Sequence, residues 1–220
     1  MKSLPIVWDY RAIASLVSFV LLPALLKRND SLAQKQGERV FLSDISIVDE
    51  PTKSCGMNWH DFDDRGNLLT RKELLSDGVL KSLLTDRMFR VNDFVEPPRS
   101  YHNKLINNPT NIVMKVNSDV SSNIQDQFTE SLLIKDILGF HSVIPSRGEF
   151  SVKAMPCIYR RKGDEEMYLN DVNVRGNIYS IFQEAPICST DVREICFPGG
   201  LSYVTSVPIV ITPETSIEIR

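Results

Sequence analysis

Histidine is scarce in this chain, with three in 220 residues and none before residue 60. Hydrolytic zinc sites need several imidazole or carboxylate ligands at short spacing, whereas His60, His102 and His141 are far apart. The four cysteines form no Cys-x-x-Cys pair and stand at Cys55, Cys157, Cys188 and Cys196. The spacing therefore excludes a zinc finger and gives no sign of a disulfide framework, so a cytoplasmic location is expected.

Basic charge is also in short supply. The chain has 25 lysines and arginines against 28 aspartates and glutamates, a formal net charge of −3. Proteins that bind nucleic acids usually carry a cationic surplus, and the most basic stretch here is the triplet Arg160, Arg161 and Lys162. No nucleic-acid partner is therefore expected. With 42% hydrophobic and 24% charged residues, the composition is typical of a globular protein.

No hydrophobic run is long enough for a membrane span. The most apolar stretch, residues 12–26 within DYRAIASLVSFVLLPALLKRND, is interrupted by Pro23. As a helix it reaches roughly 22 Å, short of the hydrocarbon core of a bilayer. A signal peptide fits the length better, but Asp9 and Arg11 directly precede the run and no small-x-small cleavage site follows it. No membrane association is expected.

A buried helix explains this stretch best. Asp9 is a suitable N-cap, and Arg11, Ser15 and Ser18 recur at steps of four and three residues as a thin polar stripe. Apolar side chains cover the remaining faces, which is the pattern of a helix buried on most sides. Pro23 is expected to bend or end it.

The remaining pattern predicts strands joined by glycine turns. Runs of β-branched residues favour strands, for example at 111–116, and Asp77-Gly78 favours a hairpin turn. Ile124, Phe128 and Leu132, at steps of four, predict a short amphipathic helix. A second short helix is predicted at 177–184. The fold class is therefore α+β: a β-rich, mostly antiparallel curved sheet with a buried N-terminal helix and a few short helices.

The adjacent carboxylates Asp63 and Asp64 allow a general acid–base interpretation. However, they directly precede Arg65-Gly66, and aspartates beside glycine are far more common in turns than in catalytic pairs. A structural turn is the favoured interpretation.

Several strings, in order along the chain, resemble the C-terminal half of the TldD/PmbA family. SLAQKQGERVFLSDISIVDEP is similar to its Gly-Glu-Lys-Val strand entry, and DFDDRGNLLTRKELLSDGVLKSLLTD to its Asp-Asp-Glu-Gly and Asn-Gly-Val-Leu-Lys turns. PTNIVMKVNSD resembles the strand before its Pro-Gly-Asp turn, and GEFSVKAMPCIYRRKGDEEMYLNDVNVRGNIYSIFQEAPICSTDV its Gly-x-Phe-Ser strand and Ala-Gly-Asn-Leu helix. The set spans about residues 5–219. The family's N-terminal half has no counterpart, so a single domain of the C-terminal type, 1–220, is expected.

The family's active member is a metallopeptidase, and the resemblance implies a His-Glu-x-x-x-His helix with a distal cysteine as third ligand. Counting back from Gly37 without gaps places the histidine positions on Ile13 and Ser18 and the glutamate position on Ala14. None of these side chains can coordinate zinc or serve as a base. The chain is therefore expected to bind no metal or cofactor itself.

The resemblance implies that Cys196 is the counterpart of the distal cysteine, either as a remnant ligand or as a small buried thiol. Two alternatives stay open. One is a metallopeptidase or cysteine hydrolase with a site outside the family pattern, in which Cys55 would pair with His60. The other is a stand-alone peptide-binding remnant.

The PmbA branch of the family, also called TldE, lacks the His-Glu motif and pairs with a TldD chain that has it. This sequence resembles that branch more closely. The resemblance implies a non-catalytic subunit, a pseudo-enzyme in a complex for the proteolysis of unfolded peptides. Zinc is expected on the TldD-like partner, and extended peptide is the expected substrate.

Overall fold

A computed structural model of the chain describes residues 4–25, 31–41, 45–53, 59–84, 88–93, 102–107, 109–116, 128–170, 172–183, 187–194, 204–212 and 217–219. Its helices are α1 (Tyr10–Leu16), α2 (Leu22–Leu25) and α3 (Ile178–Gln183), with a π-helical turn at Val17–Leu21 and 3₁₀ turns at Ala33–Lys35, Phe140–Ser142 and Pro145–Arg147. Its strands are β1 (Ile6–Trp8), β2 (Ile45–Asp49), β3 (Lys72–Ser76), β4 (Val79–Leu80), β5 (Met88–Asp93), β6 (His102–Asn107), β7 (Ile112–Val116), β8 (Glu130–Ile134), β9 (Ile137–Leu138), β10 (Glu149–Ala154), β11 (Cys157–Arg161), β12 (Met167–Leu169), β13 (Val172–Asn177), β14 (Ile187–Glu194), β15 (Val204–Thr212) and β16 (Ile217–Ile219).

The buried N-terminal helix forms as predicted. Asp9 takes the extended backbone conformation of an N-cap, and its Oδ1 accepts a hydrogen bond of 2.7 Å from the Tyr10 N–H. From α1 through the π turn to α2, most side chains are buried, whereas Arg11 stays exposed. Pro23 lies inside α2, so the helix continues past the proline. The π turn directly before Pro23 is where α-helical bonding is interrupted, which suits a residue without an N–H.

The described strands form one large sheet and two smaller ones. The large sheet has ten strands in the order β12-β11-β8-β1-β15-β7-β2-β3-β4, with β14 pairing β15 off this path. A four-stranded sheet follows the order β16-β13-β10-β9, and β5 pairs with β6. The pairings are antiparallel except β1 with β8 and β15 with β7. The α+β, mostly antiparallel prediction is confirmed.

The helix and both larger sheets share one apolar core. Trp8 of the large sheet meets Phe150 of the four-stranded sheet edge to face, with 6.0 Å between ring centroids. Phe19 of the π turn stacks on Phe140 at 4.2 Å. A single cluster of buried residues joins these elements. Transfer of this apolar surface out of water is the main stabilising term of the fold.

A buried polar cluster holds the start of β7 against the end of β2. Asp49, Thr110 and Asn111 are each 0% exposed. The Asp49 carboxylate accepts hydrogen bonds from the Thr110 N–H, at 3.0 Å, and from its hydroxyl. The Glu50 N–H donates to the Asn111 carbonyl at 2.8 Å. Buried polar groups are tolerated when they are hydrogen-bonded in this way.

The hairpin turns agree with the glycine pattern. Asp77 and Gly78, with φ of 48° and 76°, join β3 to β4 in the left-handed conformation that a two-residue type I′ hairpin requires. The short helix predicted at 177–184 is α3, and the strand predicted at 111–116 is β7.

One predicted helix is wrong and one hairpin was not foreseen. Leu132 lies in β8, not in an amphipathic helix; the residues around Ile124 lie outside the described ranges. Buried strands are apolar on both faces, and Leu132 is paired with Ile6 on one side and Tyr159 on the other. Those long-range pairings override the four-residue periodicity. The antiparallel pair of β5 and β6 has no counterpart among the strands and turns predicted from the sequence.

Within the described ranges, no helix is long and apolar enough to cross a bilayer.

Candidate functional site

The three positions implied by the family's metal helix lie on the buried N-terminal helix. Ile13 and Ala14 are each 0% exposed in α1. Ser18 lies one turn later, in the π segment. An aliphatic side chain, a methyl group and one hydroxyl do not fit a zinc ion, which is bound by thiolate, imidazole or carboxylate groups. These residues therefore cannot hold the metal that the resemblance implies.

The helix nevertheless has an unusual geometry at this point. The Leu22 N–H donates to the Val17 carbonyl, an i→i+5 bond that widens the turn. In a regular α-helix, residues five apart lie about 140° from one another around the axis. A π turn brings residues with this spacing nearly onto one face, and π turns frequently occur at functional sites. The interval between Ile13 and Ser18, however, runs mostly through α1, where the Val17 N–H still donates to the Ile13 carbonyl. The wide turn begins only at Val17, so it does not bring Ile13 and Ser18 onto one face.

The hydroxyl group of Ser18 is also in an unfavourable environment. Its Oγ is buried, and no hydrogen-bond partner for it is present among the described residues. A buried hydroxyl without a partner costs about 1–3 kcal/mol. The position therefore keeps a polar atom where packing alone would favour a methyl group.

The other candidate ligands are not brought together in the part of the chain that the structure describes. Cys55 and Cys196 lie outside it, so their predicted roles remain predictions. His60 is exposed, and its backbone N–H donates to the Pro51 carbonyl at 3.0 Å. For His102 and His141 the backbone, in β6 and a 3₁₀ turn, is described. Across the described residues, no three histidine, cysteine, aspartate or glutamate side chains are close enough to bind a metal ion.

The Asp63 and Asp64 pair is part of a turn. Asp63 is 5% exposed, and its carboxylate accepts hydrogen bonds from the Arg65 N–H at 3.0 Å, the Asn67 N–H at 2.9 Å and the Asn67 side-chain amide at 3.0 Å. Such bonds stabilise the ionised carboxylate and organise the loop. This geometry favours the structural interpretation over acid–base catalysis.

Titratable side chains on β11 have perturbed proton affinities. Burial raises the pKa of the Cys157 thiol to about 11, although a hydrogen bond with the Ile158 backbone partly opposes it. A thiol this reluctant to ionise is a poor nucleophile at neutral pH. Burial, and then the negative charge of Glu130, also raise the pKa of Tyr159. Cys157 therefore behaves as a packing residue.

A charged cavity at the end of the large sheet was not identified from the sequence. It has a volume of about 420 Å³ and is lined by Phe128, Ser131, Arg160, Arg161, Lys162, Gly163, Asp164 and Glu166. The triplet Arg160, Arg161 and Lys162 is the only sequence signal noted at this place, and a short basic triplet does not by itself predict a cavity. Arg160 Nη2 lies 2.6 Å from Glu166 Oε1, and Arg161 Nε lies 3.5 Å from Glu130 Oε1. Most charge in the cavity is thus internally paired.

Comparison with known proteins identifies the family. Residues 1–218 match the PmbA/TldA metallopeptidase C-terminal domain. The chain belongs to this family. The resemblance drawn from the ordered sequence motifs is thereby confirmed.

One curated relative is an uncharacterized protein of Methanocaldococcus jannaschii, 29% identical over 190 residues, which are 82% of this chain and 44% of that protein. Among solved structures, TldE from Thermococcus kodakarensis matches with a TM-score of 0.77 at 22% identity, over 98% of this chain and 50% of that one. A putative modulator of a DNA gyrase from Thermotoga maritima matches with a TM-score of 0.74 at 21% identity, over 99% and 50%. These structures share the fold. The chain spans about half the length of the relatives that it matches.

Proposed function

We propose that this chain is a non-catalytic, TldE-like subunit of a TldD-type metallopeptidase complex that degrades unfolded peptides. The observation that carries the proposal is the identity of Ile13, Ala14 and Ser18 at the positions of the family's metal helix. A hydrolytic metal site needs ligands for the ion and a base for the attacking water. This helix offers neither.

The burial of the helix supports the proposal. Ile13 and Ala14 are each 0% exposed, so apolar packing occupies positions at which a catalytic family member would carry a ligand and a base. The cysteine pattern favours the cytoplasm as the compartment of the complex.

The partner is a chain with a His-Glu-x-x-x-His helix, and zinc belongs to that chain. This subunit would contribute binding surface for the substrate. Exposed strand edges suit that task, because backbone pairing binds an extended peptide with little sequence preference.

Co-expression with such a chain tests the assembly. Tagged partner is purified, and the 220-residue chain is expected to co-purify in a fixed ratio by size-exclusion chromatography with light scattering. The triple variant of the partner in which its two histidines and its glutamate become alanine should still form the complex but lose peptide cleavage. The chain on its own should bind no stoichiometric zinc.

Two outcomes would favour the alternatives. Chelator-insensitive cleavage by the isolated chain that disappears in Cys55→Ser or His60→Ala would support a cysteine hydrolase. Absence of any complex, together with peptide binding by the chain alone, would support a stand-alone remnant.

A further inference from the structure

No further inference is drawn: the strongest candidate, the exposed apolar surface patch of Phe62 and Leu68, which are paired across the turn before β3, carries nothing because no contact among the described residues shows what covers it.

Discussion

The N-terminal helix and the edge of the large sheet formed by β11 and β12, here called the margin, differ in the polarity and exposure of their side chains. On the helix, the positions at which the family implies a metal site carry Ile13 and Ala14, both fully buried. On the margin, arginine, lysine and carboxylate side chains surround an open cavity beside an exposed strand. The margin thus presents charged side chains to solvent, whereas the helix contributes mainly apolar side chains to the core.

The two regions also differ in what supports them. The N-cap, the burial and the π turn of the helix are supported by packing in the core. Apolar residues at these buried positions avoid the cost of burying polar groups without partners. Substitutions in the two regions should therefore differ sharply in their effects.

The largest effect is expected from a charge placed on the helix. Ala14→Glu would bury a carboxylate with no compensating partner, at a cost of about 3–5 kcal/mol in the free energy of unfolding. Urea denaturation followed by circular dichroism measures it. Arg11→Gln, whose side chain is 55% exposed, serves as the control and should cost less than about 1 kcal/mol. A loss below about 1 kcal/mol in Ala14→Glu would mean that the helix still accommodates charge.

The pH dependence of stability should report the burial of the Cys157 thiol at the start of β11. The folded state raises the pKa of the Cys157 thiol from 9.0 to about 11. The neutral thiol is favoured by folding, so this contribution to stability is complete below about pH 9 and is lost as the pH rises towards 11. Urea midpoints between pH 8 and 11 should fall more steeply for the unaltered chain than for Cys157→Ala. Parallel curves would contradict the burial.

A gain in stability is expected on the helix at Ser18. Because its buried hydroxyl has no partner among the described residues, Ser18→Ala should raise the free energy of unfolding by about 1 kcal/mol. Ser15→Ala, in the same stripe and 3% exposed, provides a comparison at a neighbouring serine. Destabilisation by Ser18→Ala would show that the hydroxyl is held by a residue beyond the described ranges.

The smallest effect is expected at the margin. Glu166→Gln removes the charge facing Arg160 at 2.6 Å, but the pair is partly exposed to solvent, and such pairs contribute about 0–1 kcal/mol. Thermal unfolding should change by a few degrees at most. A loss as large as that of Ala14→Glu would mean that the margin is a structural element and would remove the contrast on which the account rests.

Local chemistry made part of this structure predictable. The Asp9 cap, the apolar helix, the Asp77-Gly78 turn and the turn around Asp63 each follow from a few neighbouring residues. The family membership followed from the order of the motifs rather than from any one of them.

The features that escaped prediction depend on distant parts of the chain. β8 is a strand because β1 and β11 flank it, and its local periodicity favoured a helix. The position of β12 at the edge of the large sheet cannot be predicted from its sequence Met-Tyr-Leu, because it depends on which strands lie next to it. The π turn likewise could not be predicted. The sequence shows Pro23, but nothing in it indicates that the helical turn before the proline is widened.

The account rests on the claim that hydrolysis belongs to the partner. The most direct test is cleavage of an unstructured peptide by this chain alone, by a His-Glu-x-x-x-His chain alone and by the two together, with and without chelator. The account predicts no cleavage by this chain alone and chelator-sensitive cleavage by the pair. Chelator-sensitive cleavage by the isolated 220-residue chain would contradict it.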